Sequence, residues 1–209
     1  MTMKMNLPNK LTVLRLCMVP VLLLVGMLPV IPFYISCLVC AVLFIATAVT
    51  DMLDGKIARR DGLITDFGKF MDPIADKFMV LSAMFVILYK FDNLRTLMIF
   101  TLLIVVFREL AVTSMRLVVS TGQNIVVAAN MLGKVKTVSQ IVAVSTVFLE
   151  PVVQLVTRWI AELITGDTLV WRTDIVPLTW ASIAFCLVMT VWSGLNYIKA
   201  YWKYLDPQK

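Results

Sequence analysis

The chain contains no histidine. That removes the commonest general base and the commonest zinc ligand. Any proton transfer falls to Asp, Glu, Lys, Tyr or water. Cysteine is scarce: Cys17, Cys37, Cys40 and Cys186, all in apolar surroundings. Cys37 and Cys40 have the spacing of a redox or zinc pair. A lone pair of this kind inside a hydrophobic run is expected to be two buried free thiols. Charge is missing over a long stretch, since residues 16–50 contain no Asp, Glu, Lys or Arg. Those 35 residues can supply one helix, a turn at Pro29–Pro32 and most of a second helix. No small-residue cleavage site follows a short apolar core, so the first apolar segment is expected to be retained.

What is present is apolar. Hydrophobic residues make up 60% of the 209, with a mean hydropathy of +0.91. This excludes an ordinary soluble domain and predicts a single all-α integral membrane domain over residues 1–209. Six transmembrane helices are expected near Thr12–Val30, Ile35–Arg59, Gly68–Tyr89, Leu94–Val119, Leu132–Leu149 and Ile175–Tyr197. Arg108, Glu109 and Arg116 interrupt the fourth, at a spacing that gives it a polar inner face. With both termini on the cytoplasmic side, 15 of the 19 basic residues fall inside. The segment Pro151–Trp171, with Trp159 and Trp171, is expected along the outer interface. The net charge of +6 then fits an anionic membrane or substrate better than nucleic acid.

One run stands apart: Asp51-x2-Asp54-Gly55-x2-Ala58-Arg59-x8-Gly68-x3-Asp72-x3-Asp76. A carboxylate at membrane depth costs about 2.5–3.5 kcal/mol even on a lenient scale. Four together also repel one another, so something positive must sit among them. Asp51 and Asp54 are i, i+3 on one helix face, and Asp72 and Asp76 are i, i+4 on the next helix. A charged turn at Arg59–Gly62 lets the two helices pair antiparallel. Facing carboxylate pairs are how helical bundles build dinuclear metal sites. All-oxygen ligation favours Mg²⁺, Mn²⁺ or Ca²⁺. Gly55, Ala58 and Gly68 remove bulk beside the acids, and Arg59 offers a planar fork for phosphate oxygens. Singly, each Asp reads equally well as a cap or a salt-bridge partner of Lys56, Arg59 or Lys77. The whole pattern does not.

At these positions the chain resembles the CDP-alcohol phosphotransferase family, whose signature it matches without departure. The family is integral to the membrane, usually six-helical and often dimeric. Its members move a phosphoalcohol from a CDP-linked donor to an alcohol, releasing CMP. The resemblance implies that Asp51, Asp54, Asp72 and Asp76 hold two Mg²⁺ or Mn²⁺ ions at the cytoplasmic end. It implies that Asp54, Gly55, Ala58, Arg59 and Gly68 line the CDP site, and that Asp76 is the catalytic base.

Further stretches are similar to the bacterial branch of the family that joins CDP-diacylglycerol to glycerol 3-phosphate. They are Asn6–Thr12 with Arg15, Asp72-Pro73-x-Ala75-Asp76-Lys77, Arg108-Glu109-x6-Arg116 and Gly133–Thr137. Asn9, Thr12 and Arg15, at the start of the first helix, are expected to contact the CDP-diacylglycerol, Thr12 and Arg15 at its pyrophosphate. On the residues alone, Thr12 reads equally as a helix cap and Arg15 as an anchor. Arg108, Arg116, Lys134 and Lys136 supply cations with Glu109 as the one acid in their helices. They call for an anionic acceptor, or else they snorkel to headgroups. Inositol phosphate would suit those cations too. A divalent-cation transporter is the reading from another class, although the acids gather at one membrane face.

Overall fold

The computed structural model describes residues 6–60, 62, 65–123, 131–165 and 177–202, with 54, 58, 59, 120–123 and 165 described by backbone path alone. Every element among the described residues is helical: α1 (Leu7–Met27), α2 (Phe33–Arg60), α3 (Asp66–Lys90), α4 (Arg95–Gln123), α5 (Met131–Thr165) and α6 (Pro177–Tyr201), with a 3-10 turn at Asp92–Leu94.

The helix ends follow from local chemistry. Asn6 takes the N-cap position of α1 and Pro8 sits in its first turn, where a missing N–H costs nothing. α1 therefore begins before Thr12, which lies inside the helix. It stops at Met27, ahead of Pro29 and Pro32. Gly62 turns with φ +65°, a conformation that favours glycine. Thr65 caps α3 by accepting the Gly68 N–H at 3.1 Å. Asp66 in the first turn and Lys90 in the last complement the helix dipole. At α6, Glu150 of α5 accepts the N–H groups of Leu178 at 3.3 Å and Thr179 at 2.7 Å.

The helices alternate in direction. One end of the bundle gathers the start of α1, the end of α2 and the start of α3. Thr12 meets Asp72 there, and Arg15 meets Asp51. The other end gathers the end of α1, the start of α2 and the end of α3, tied by Lys90 to Gly26 and Ser36. α1 packs on α2 and α3, α5 on α2 and α6, and α4 on α6. The core between them is Leu22, Phe44, Met79, Ile87, Met98, Val147 and Phe148 with their neighbours. α1 crosses α3 so closely at Gly26 that a Cβ there would lie 2.3 Å from a Val86 methyl. Cys37 and Cys40 are buried free thiols, as expected. Cys186 is buried too, and Cys17 is exposed.

The outside is apolar as well. Phe70, Phe78, Phe85, Phe100, Leu103, Phe107, Leu110 and Trp192 are all exposed. Water tolerates no such continuous surface, whereas lipid does. Among the described residues, five helices are long and apolar enough to cross a membrane: Leu7–Met27, Phe33–Ile57, Asp92–Val119, Met131–Ile164 and Pro177–Tyr201. The chain is thus a multi-pass membrane protein. α3 is not among the five, because Asp72, Asp76 and Lys77 interrupt it. α5 also differs from expectation. It does not stop at Leu149 but continues through Pro151 to Thr165, so the first part of the expected interfacial segment is helix. Residues 166–176 lie outside the description.

Candidate active site

The signature carboxylates lie where α1, α2 and α3 converge. α1 carries three buried polar residues at i, i+3, i+6, namely Asn9, Thr12 and Arg15. That spacing puts them on one face, toward α2 and α3. The Arg15 guanidinium contacts Asp51 Oδ1 at 2.6 Å. The Thr12 hydroxyl donates to Asp72 Oδ1 at 2.6 Å, with the Pro8 carbonyl also in reach at 3.1 Å. The Thr65 hydroxyl donates to Asn9 Oδ1 at 2.9 Å. The first helix thus holds a carboxylate from each of the next two. A Cβ on Gly68 would lie 3.1 Å from Asn9 Oδ1, 3.3 Å from Thr65 Oγ1 and 3.7 Å from Asp72 Oδ2. The missing side chain of Gly68 thus leaves room for Asn9, Thr65 and Asp72.

Asp51 is half exposed, Asp72 exposed and Asp76 half-buried. Asp76, one helical turn beyond Asp72, also faces a cavity that it shares with the basic residues of α4 and α5. The side chains of Asp54, Ala58 and Arg59 lie outside the described residues. Among the described residues, no three acidic or cysteine side chains gather tightly enough to hold a metal ion. The donor set is nevertheless coherent. Asp51, Asp72 and Asp76 offer only carboxylate oxygens, the chemistry of hard divalent ions. Arg15 meets part of the charge that such ions would neutralise.

A cavity of about 60 Å³ runs from Asp76 and Lys77 to Arg108, Glu109, Lys136 and Gln140. At its far wall Glu109 is a shared anion. It pairs with Lys136 and accepts from Arg108 Nη1 at 2.9 Å. Two cations on one acid leave positive charge in excess. Arg108 is fixed from its other side, donating from Nη2 to Ser193 Oγ at 2.7 Å and lying 5.9 Å from the Tyr197 ring centre. Gly194 makes room for it, since a Cβ there would sit 3.2 Å from Arg108 Cγ.

The four expected acceptor residues thus divide. Arg108 and Lys136 line the cavity with Asp76. Arg116 is exposed and reaches Tyr197 Oη at 3.4 Å, and Lys134 is exposed on the first turn of α5. Neither of these two lines the cavity. Ser193 and Tyr197 are the residues that sequence reasoning missed. Their i, i+4 spacing in an otherwise apolar helix was the available signal. Thr113 is another, accepting from Lys77 Nζ at 2.7 Å.

Carboxylates at the meeting of α1, α2 and α3, beside a cationic cavity inside a membrane bundle, suit chemistry on an anionic phosphorus group. The profile of the CDP-alcohol phosphatidyltransferase family matches residues 5–192, and the chain belongs to that family. Full-length relatives agree. It is 38% identical to the CDP-diacylglycerol–glycerol-3-phosphate 3-phosphatidyltransferase of Bacillus subtilis (strain 168), over 96% of this chain and 97% of the relative. It is 33% identical to the protein of that name from Sodalis glossinidius (strain morsitans), over 95% and 96%. Identity to that of Yersinia enterocolitica serotype O:8 is 32%, over 98% and 100%.

Proposed function

We propose that this chain transfers the phosphatidyl group of CDP-diacylglycerol to the 1-hydroxyl of glycerol 3-phosphate. The products are phosphatidylglycerol phosphate and CMP. The observation that carries the reading is the single cavity shared by Asp76, Arg108 and Lys136. It sets a proton acceptor within one small space of cations suited to a phosphate monoester. The names of the full-length relatives support the same donor and acceptor.

In this mechanism Arg108 and Lys136 hold the acceptor phosphate, with Arg116 and Lys134 at the more exposed approach. Glu109 and Ser193 keep Arg108 and Lys136 aimed. Asp76 takes the proton of the acceptor hydroxyl, and the freed oxygen attacks the phosphorus bearing diacylglycerol. The bond from that phosphorus to the CMP oxygen breaks. Gly55, Ala58, Arg59 and Gly68 form the nucleotide side, with Asn9, Thr12 and Arg15 behind the pyrophosphate. Asp51, Asp54, Asp72 and Asp76 would hold two Mg²⁺ or Mn²⁺ ions, and their all-oxygen chemistry fits that role. When bound, such ions supply neutralisation of the charge that builds on the leaving nucleotide. An apolar groove of about 440 Å³ along α4 and α6, bordered by Arg108, offers acyl chains a path beside the cavity.

α3 is read as the sixth crossing. Its 25 residues span about 37 Å, and its exposed Phe78, Phe85 and Tyr89 form an aromatic lipid-facing side. The carboxylate end faces the cytoplasm, supported by the bias of basic residues toward that side. The protein then sits in the cytoplasmic membrane with both termini inside. A homodimer is part of this reading, supported by membership of the family.

The test is CMP release from CDP-diacylglycerol by the detergent-purified protein. Release is expected with glycerol 3-phosphate and Mg²⁺ or Mn²⁺, and none with chelator. Asp76→Asn should abolish turnover while the fold is kept. Release with inositol phosphate alone would overturn the acceptor assignment, and near-normal turnover of Asp76→Asn would overturn the base.

A further inference from the structure

The end of the bundle away from the carboxylates holds a second cavity, of about 380 Å³. That volume lies within the range of small-molecule sites, about 300–1,000 Å³. Asp76 and Lys90 stand at opposite ends of α3, 14 residues or about 21 Å apart along its axis. This cavity is therefore separate from the transfer site.

Its walls come from the start of α2, the end of α3 and the second half of α5. Lys90 and Arg158 supply two positive charges. The Lys90 ammonium donates to Ser36 Oγ at 2.9 Å and to the Gly26 carbonyl at 3.3 Å, and it lies 5.4 Å from the Phe33 ring centre. These partners are neutral. They fix the side chain without cancelling its charge. No carboxylate pairs with it among the described residues, and an ammonium has three N–H donors, so one remains for a ligand. The acid in the wall, Asp92, is paired with Arg95. Asn93 and Gln154 add neutral hydrogen-bonding groups. Tyr34 and Leu155, in the same wall, are exposed and give it an apolar and aromatic flank.

We propose that this basin binds the phosphate of an anionic phospholipid headgroup, whose acyl chains run down the apolar flank. Lys90 and Arg158 bind the phosphate, Asn93 and Gln154 serve the polar headgroup, and the Phe33 and Phe91 rings close the wall. Free phosphate has the same anionic chemistry but gains nothing from that flank. An anion here pairs with the Lys90 ammonium and links α2, α3 and α5 at this end of the bundle.

The experiment is native mass spectrometry of the whole protein in a neutral detergent, titrated separately with phosphatidylglycerol, phosphatidylcholine and inorganic phosphate. Phosphatidylglycerol should bind at least about tenfold more tightly than phosphatidylcholine, whose own cation competes with the site. Lys90→Gln with Arg158→Gln should weaken the phosphatidylglycerol adduct by about tenfold or more, while Lys90→Arg keeps it. An adduct undiminished in the double variant overturns the proposal, because the lipid then binds elsewhere. Equal binding of the two lipids by the unmodified protein overturns it without any variant. Inorganic phosphate blocking phosphatidylglycerol at equal concentration would overturn the lipid as the source of the anion.

Discussion

Replacing Glu109 by glutamine should cost more stability than removing either cation it holds. Glu109 is 19% exposed and pairs with Lys136, 5% exposed, and Arg108, 11% exposed. Glutamine keeps the shape and one acceptor oxygen but removes the charge. Two nearly buried cations then face each other with no anion between them. Breaking a buried pair in this way costs about 3–5 kcal/mol, and the retained amide argues for the lower end. About 3 kcal/mol corresponds to a fall in Tm of about 6–12 °C for a chain of this size. Lys136→Met differs, because Glu109 remains paired with Arg108 at 2.9 Å. It should cost about 1–2 kcal/mol. The double variant should recover part of the loss, with a coupling of about 1–2 kcal/mol. Thermal unfolding of the four proteins in one detergent measures all three quantities. A Glu109→Gln protein melting within about 2 °C of the parent, or strictly additive costs, would refute the shared-anion arrangement.

Three further outcomes follow from the geometry around α1. Gly26→Ala drives a methyl into Val86 and should destabilise by about 1–3 kcal/mol, with Val86→Ala restoring most of the loss in the same melting assay. Thr12→Val removes the hydroxyl that donates to Asp72. A direct Mn²⁺ titration should then show binding about tenfold weaker, and unchanged affinity would remove Thr12 from the support of that carboxylate. Gly68→Ala crowds Asn9 and Thr65 and disturbs the α3 cap, so about 1 kcal/mol of stability should go. KM for CDP-diacylglycerol should rise in the same variant, read by CMP release.

Much of the site was legible because charge is so expensive in this chain. Asp51, Asp72, Asp76 and the Arg108–Glu109 pair stand out against apolar sequence, and the spacing alone puts each on a helix face. The support for those acids was less visible. Thr12 reaches Asp72 across 60 positions, and a threonine in a helix start reads most simply as a cap. Ser193 and Tyr197 are mildly polar in an apolar helix, and their importance depends on which face meets α4. The α5 boundary was misjudged for a different reason. Proline inside a helix removes one backbone hydrogen bond, a cost that packing in a bundle absorbs, so Pro151 does not end the helix. The division of the acceptor cations between cavity wall and exposed approach was not legible, because sequence gives depth along a helix more readily than direction around it. Lys134 and Lys136 differ by two positions and so by roughly half a turn, which leaves Lys134 exposed and Lys136 buried.

The length of α5 has a mechanical consequence. The 20 residues from Met131 to Glu150 span about 30 Å, the thickness of a bilayer's hydrocarbon core, and 15 more run from Pro151 to Thr165. Lys136 rides near one end of this rod and Arg158 near the other. A thinner or thicker bilayer is accommodated by tilting long helices. α5 also packs against α3, so its placement sets where Lys136 stands in the cavity it shares with Asp76. One rod thus joins the cationic wall of the transfer cavity to the basin at the far end of the bundle.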